Sequence, residues 1–404
     1  MLPDLVASIR TSFWVKAGLI LWILLISVVA VRATLLPRKN SVYPASHAAA
    51  QHYLNNEDIY NRHNSILGID LFRYGPSFAA FMIPMTVLPE AWAGGLWRMV
   101  QGLGLLWIMI LLANRFWANP NQRGIFFILC VPLSIGSLNN GQVNPMIVLS
   151  LGLGLIWSME GRWWIAGMAI SLAVFLKVFP LAVALLFVLV GGWRLAWGLV
   201  VGIIFTEGFA FFVAPSDYVI GQWIQWFELL GRDNRSMWPI EAGYRDGWLL
   251  LKLSGLTPPY WVYQSIQAGS GLALAVLVLG VYRALCPQRA CLVAWSLGNC
   301  WMMVFGPTTE SSTYTLLAPV LAFALLESAY SRQLRIVVLF IWSAGCLLFL
   351  GVFSSAFPIA GRLHSLGMQP IGAILLGIGL IGLLLSPRFK LDSLSNSHLK
   401  AENR

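Results

Sequence analysis

The sequence predicts an all-α polytopic membrane protein, with about twelve transmembrane helices in a single domain over residues 1–404. Three observations carry this. Hydrophobic residues make up 58% of the chain and charged residues 10%, where soluble domains hold roughly 25% charged residues. The mean hydropathy is +0.74. The apolar residues also gather in runs approaching the ~20 residues that cross a bilayer, with short polar connections between them.

The first predicted span, 17–36, follows Arg10 and Lys16. It is too long for the apolar core of a secretory signal and lacks a clear cleavage site. Residues 37–76 form the first extracytoplasmic loop, with an interfacial helix in its middle and DLFRYGP at its end. The apolar piece 77–88 is short and broken by Pro84 and Pro89. It reads as a half-span or re-entrant element that protein must cover, because lipid cannot satisfy its backbone. Spans follow at 91–113, 125–138, 143–158, 163–176, 179–191 and 195–213. After a long extracytoplasmic segment, 214–260, come spans at 261–285, 290–305, 314–330, 335–356 and 367–386. A basic tail, 388–404, closes the chain in the cytoplasm.

Charge fixes the orientation. With 77–88 not crossing, the inward connections carry Arg115, Arg123, Arg162, Arg194, Arg283, Arg289, Arg332 and Arg335. The outward connections NNGQVN (139–144) and GPTTESST (306–313) carry no Lys or Arg. By the positive-inside rule, both termini are cytoplasmic in a multi-pass protein of the plasma (inner) membrane. The net charge of +10 therefore encodes topology, since its basic residues stand singly between apolar runs and no nucleic acid is expected as a partner. The five cysteines lie in or beside apolar segments without metal-ligand spacing. They read as packing residues, and neither a metal nor a cofactor is expected.

This topology places Glu57, Asp58, Asp70, Asp217, Glu228, Asp233, Glu241, Asp246 and Glu310 outside. The inner connections are too short to build a site, so any chemistry belongs to the outer face. Lys177, in AVFLKVFP, is either a snorkelling interfacial lysine or a point charge for a lipid-borne phosphate. Asp70 beside Arg73 is either a loop ion pair or a general base with its positioning cation. Glu310 competes for the base role, with a solvated loop acid as the plainer reading. Asn139, Asn140, Gln142 and Asn144 make a polar turn, or amides suited to sugar hydroxyls. Arg245, Asp246, Tyr74 and Tyr314 complete the outward polar set. Trp223, Trp226, Trp238 and Trp248 serve as belt anchors or as stacking faces for sugar rings.

The order of several motifs resembles glycosyltransferase family 87, of the GT-C superfamily. These are AA–x–x–x–L…D–I–Y (Ala49 to Tyr60), F–R–Y–G–P (Phe72 to Pro76), L–P–x–x–x–A–G–x–L–W (near 88–97), N–G–Q–V–N (140–144), A–G–…–L–K–V–F–P (166–180) and G–P–T–T–E…Y (306–314). The resemblance covers about 40–330 and rests on order and spacing. It implies a GT-C-like membrane hexosyltransferase that moves a mannose-like sugar from a polyprenyl-phosphate donor to a hydroxyl of a glycolipid or glycan, on the extracytoplasmic face. The implied donor-phosphate ligands are Lys177, Arg73 and Arg245. The implied sugar or acceptor ligands are Tyr74, Asn140, Gln142, Asp246 and Tyr314.

Two departures stand out. The family's acid before the first-loop tyrosines is replaced by Arg38-Lys39-Asn40-Ser41-Val42-Tyr43, and its His pair near 312 by Ser312 and Thr313. Either the base moves to Asp70 or Glu310, or the chain is an inactive branch. The alternative class is a transporter or lipid flippase, for which Glu207 and Arg98 are the interior candidates.

Overall fold

The computed structural model describes residues 8, 9, 11–60, 71–232, 239, 240, 244–307, 309–330 and 333–389. Arg10, Asp70, Asp233, Trp238, Glu241, Arg332 and the tail beyond residue 389 lie outside these described residues. Every described regular element is helical.

Seven stretches are long and apolar enough to cross a membrane: Phe13–Leu35, Glu90–Phe116, Pro120–Asn140, Leu181–Phe212, Tyr260–Ala284, Ser311–Tyr330 and Arg335–Val352. The count is up to eight if the pair Pro358–Ser365 and Met368–Leu384, bent by 70°, forms one span. Pro76–Val87, Asn144–Met159 and Trp163–Leu176 are shorter apolar helices.

The first three long helices are α1 (Phe13–Leu35), α4 (Glu90–Phe116) and α5 (Pro120–Asn140), with α2 (Tyr43–Leu54) and α3 (Pro76–Met82) between α1 and α4. Small residues let α1 pack closely on both neighbours. Ile26 fills the space above Gly102, Phe127 covers Gly18, and Trp22 Nε1 donates to Phe127 O at 3.0 Å. At the far end of α1, Arg32 bonds Asn139, and Thr34 lies against Gly95. The C-termini of α1 and α5 and the N-terminus of α4 thus share one end of the bundle.

α6 (Asn144–Met159) and α7 (Trp163–Leu176) follow, then α8 (Leu181–Gly208). The sequence predicts two spans where α8 lies, and α8 breaks between them at Gly192 (φ 60°, ψ −152°). Gly191 lies against Trp163, whereas Gly198 lies against Trp164 and Gly202 against Met168 and Ser171. Both arms therefore run along α7, and the chain folds back at Gly192. Only glycine adopts that backbone conformation readily, which is why the reversal falls there.

The remaining elements are α9 (Ser216–Arg232), α10 (Gly247–Leu253), α11 (Tyr260–Ala284), α12 (Pro287–Phe305), α13 (Ala318–Tyr330), α14 (Arg335–Val352), α15 (Pro358–Ser365) and α16 (Met368–Leu384). α12 is buried along nearly all of 290–304 and packs on α8, α11 and α16. A helix walled in by protein needs no lipid-facing stripe, which explains why α12 carries Asn299 and Ser296 without facing the bilayer. α9 turns Val219, Gln222 and Trp226 inward and leaves Ile220, Ile224 and Phe227 exposed. That is a surface helix with two apolar sides.

Candidate active site

The polar loops converge at the end of the bundle marked by Arg32 and Asn139. Gly141 ends α5 in the left-handed conformation (φ 75°), and Pro145 sits in the first turn of α6. Residues 139–144 are thereby held in a tight turn. Asn140 ties this turn to the first loop: its backbone and side-chain oxygens each accept from Val42 N at 3.0 Å.

Lys177 ends α7 with extended backbone (φ −154°, ψ 142°). Glu310 caps the short 3₁₀ helix Ser311–Leu317: its carboxylate accepts from the Thr313 amide, and Thr313 Oγ1 accepts from Glu310 N at 3.3 Å. These two side chains are linked. Lys177 Nζ donates to Asn144 Oδ1 (2.8 Å), Asn144 Nδ2 to Gln142 Oε1 (2.6 Å), and Gln142 Nε2 to Glu310 Oε2 (2.6 Å). Ser312 Oγ braces the join by donating to Gln142 Oε1 at 3.0 Å.

The chain borders a cavity of about 440 Å³. Arg73, Tyr74, Gln142, Lys177, Glu310 and Thr313 supply its polar lining, and Phe72, Phe175, Phe179, Trp226 and Leu230 much of its apolar wall. The first-loop side is fixed from behind. Trp226 Nε1 donates to Arg73 O (3.0 Å), and Tyr60 OH donates to Tyr74 O (2.8 Å). Burial pushes the Tyr60 phenol up, so it stays a neutral donor. Lys177 also lies 5.7 Å from the centre of the Phe179 ring, within cation–π range.

Arg245, Asp246 and Tyr314 form a second group, none of which lines the cavity. Arg245 N donates to Thr309 O (2.7 Å), and Tyr314 OH donates to Arg245 O (2.8 Å). The Arg245 guanidinium donates to His364 through Nε (3.2 Å), and His364 Nε2 meets Ser311 Oγ at 2.6 Å. Ser311 Oγ also donates to Gln369 Oε1 at 2.6 Å. Asp246 caps α10 by accepting from Leu249 N (3.2 Å), and burial pushes its carboxyl up to about 6. This group holds the segment 309–314 through contacts at Thr309, Ser311 and Tyr314.

The structure therefore brings Glu310, Lys177, Arg73, Tyr74 and Gln142 to one cavity. It ties Arg245 and Tyr314 to the segment that carries Glu310, outside the cavity lining, and uses Asn140 and Asp246 to hold loops. Asp70 lies outside the described residues. The sequence offers Asn144 as part of a polar turn or as one of several amides suited to sugar hydroxyls, and its place between Lys177 and Gln142 is unreadable from spacing alone. His364 and Gln369 gave no signal at all, because they sit more than fifty residues from their partner Ser311.

A multi-pass helical membrane protein with a lysine, an arginine and a carboxylate around one end-on cavity is the class that fold and site define. The chain belongs to glycosyltransferase family 87: the model of that family matches residues 72–307. It is a membrane glycosyltransferase. The match includes Arg73, Gln142, Lys177 and Arg245 and ends just before Glu310. No curated protein and no solved structure matches the chain.

Proposed function

We propose that this protein transfers a hexose, mannose-like, from a polyprenyl-phosphate sugar to a hydroxyl of a glycolipid or glycan, on the extracytoplasmic face of the plasma membrane. The reading carries the GT-C-like topology with it: twelve passes, both termini in the cytoplasm, and 77–88 short of crossing. The observation that supports it most is the chain Lys177–Asn144–Gln142–Glu310 along a cavity walled partly by apolar side chains.

In the proposed reaction the Glu310 carboxylate takes the proton of the acceptor hydroxyl as that oxygen bonds to the anomeric carbon. The bond from the anomeric carbon to the phosphate oxygen breaks, and polyprenyl phosphate leaves with the electron pair. Lys177 and Arg73 stabilise the departing phosphate, a use suited to a compact ammonium and a forked guanidinium. Gln142 and Tyr74 face sugar or acceptor hydroxyls. Arg245 and Tyr314 act by holding the Glu310 segment, and Asp70 is the alternative base. No metal is invoked.

Purified protein in nanodiscs, given polyprenyl-phosphate mannose and a glycolipid acceptor, tests this. Release of polyprenyl phosphate together with a glycosylated acceptor is the expected result. Movement of the donor lipid between leaflets without sugar transfer would overturn it in favour of a flippase.

A further inference from the structure

Arg98 is the most deeply buried cation among the described residues, 1% exposed, and it lies on α4 rather than at the cavity. Its partners are oxygens, not carboxylates. Nη2 donates to Ser41 Oγ (2.7 Å), Asn140 O (3.3 Å) and Asn139 O (3.4 Å), and Nη1 donates to Gly94 O (3.1 Å). The guanidinium carbon stands 5.4 Å from the Tyr43 ring centre.

Two neighbours on the same helix continue the pattern. Trp97 Nε1 donates to Gly141 O (3.1 Å), and Gln101 Nε2 donates to Gln142 O (2.6 Å). Four successive carbonyls, 139 to 142, are thus held by Trp97, Arg98 and Gln101. The first of them belong to the last turn of α5, where unpaired carbonyls gather partial negative charge that a cation offsets. Gly141 completes the fit: a Cβ there would stand 2.6 Å from the guanidinium carbon. From the end of this clamped stretch the Gln142 side chain turns to Glu310, and two residues on Asn144 turns to Lys177.

We infer that Arg98, with Trp97 and Gln101, is a positioning residue for sugar transfer: it fixes the 139–142 backbone so that Gln142 and Asn144 hold Glu310 and Lys177 in register. The inference rests on the reading of those two residues as the reaction centre. Displacement of a positioned group by about an ångström costs on the order of 100-fold in rate, so a loop held by four carbonyl contacts is worth a buried charge.

The test uses the full chain in nanodiscs, comparing wild type with Arg98→Lys and Arg98→Gln. Folding is followed by monodispersity and thermal unfolding. Two further readouts are kcat and KM for polyprenyl-phosphate mannose, and the rate at which an amine reagent labels Lys177, located by peptide mass spectrometry. Folded variants should lose about tenfold or more in kcat with little change in donor KM, and Lys177 labelling should accelerate several-fold. Lysine should not rescue, because one ammonium cannot reach the oxygens that the guanidinium spans.

A folded Arg98→Gln with wild-type kcat and wild-type labelling would overturn the inference. Where neither Arg98 variant folds, Gln101→Leu removes one contact of the same clamp and carries the same prediction. If wild type shows no transfer yet Lys177 labelling still responds, the reaction assignment fails while the positioning stands.

Discussion

Lys177 and Glu310 stand at the two ends of one hydrogen-bonded chain whose middle consists of two amides, Asn144 and Gln142. The chain has a direction. Lysine only donates and a carboxylate only accepts, so each amide must turn its oxygen toward the lysine side and its NH₂ toward the glutamate side. Both charged groups border the same cavity, held apart by neutral groups that satisfy one bond on each.

The sharpest consequence concerns Glu310. Glu310→Gln keeps an acceptor for the Thr313 amide, so the 3₁₀ helix should survive, but it removes the proposed base. Transfer should fall by about 100-fold or more with folding unchanged, the range expected for loss of a general base. Product formation per monodisperse protein measures this, and full activity in the variant would move the base elsewhere.

Asn144→Asp changes almost no volume but removes the NH₂ that Gln142 Oε1 accepts from. Aspartate would instead pair directly with Lys177 and set two acceptors face to face at Gln142. Loss of one such bond in a buried network costs about 1–3 kcal/mol, so transfer should drop roughly tenfold or more, with donor KM raised because Lys177 is neutralised. Steady-state kinetics against donor concentration reads both changes; an unchanged KM would argue against a phosphate role for Lys177.

Gly192→Ala should destabilise the protein by about 1–3 kcal/mol, because φ 60° with ψ −152° is open essentially to glycine alone. The open surroundings of Gly192 mean that sterics add nothing further. Thermal unfolding in detergent measures the loss, and an unshifted transition would mean that the backbone relaxes there at no cost.

The buried cap Asp246 gives a pH signature. Its carboxyl sits at about 6 when folded against 3.8 ordinarily. The folded chain therefore binds this proton more tightly than the unfolded chain. Between about pH 4 and 6 its contribution to stability falls as pH rises, and above 6 it stays level, a span on the order of 3 kcal/mol at most. Asp246→Asn keeps a capping oxygen and should flatten that slope relative to wild type in pH-resolved unfolding. Identical slopes would refute the burial argument.

Much of this architecture was legible from the chain itself. Runs of apolar residues gave α1, α4, α5, α11 and α14 within a few residues, because a helix solvated by lipid must advertise its length in its composition. Arg194 between two apolar runs marked the fold-back at Gly192, where α8 breaks into two arms. Lys177, Gln142 and Glu310, which the structure gathers at one cavity, stood out in the sequence because polar groups in an apolar context cost free energy unless something satisfies them. What stayed hidden were roles set by distance in space. Arg98 reads from sequence as an interior candidate for a transport path, and only packing reveals the carbonyls it holds. Asn140 and Asp246 read as ligands, yet each is occupied by a backbone amide.

α6 and α7 contain 16 and 14 residues. At 1.5 Å per residue they are about 24 and 21 Å long, well under the ~30 Å hydrocarbon core they would have to match. Their ends carry Asn144 and Lys177. On the twelve-pass reading proposed above, a bilayer of ordinary thickness would have to thin beside α7, which leaves Trp164, Ile165, Met168 and Leu172 exposed, and the ammonium of Lys177 would rest beneath the level of the neighbouring headgroups. On the same reading, a lipid whose phosphate pairs with Lys177 would have to sink relative to its fellows, carrying its sugar down into a dimple that surface-bound molecules do not reach.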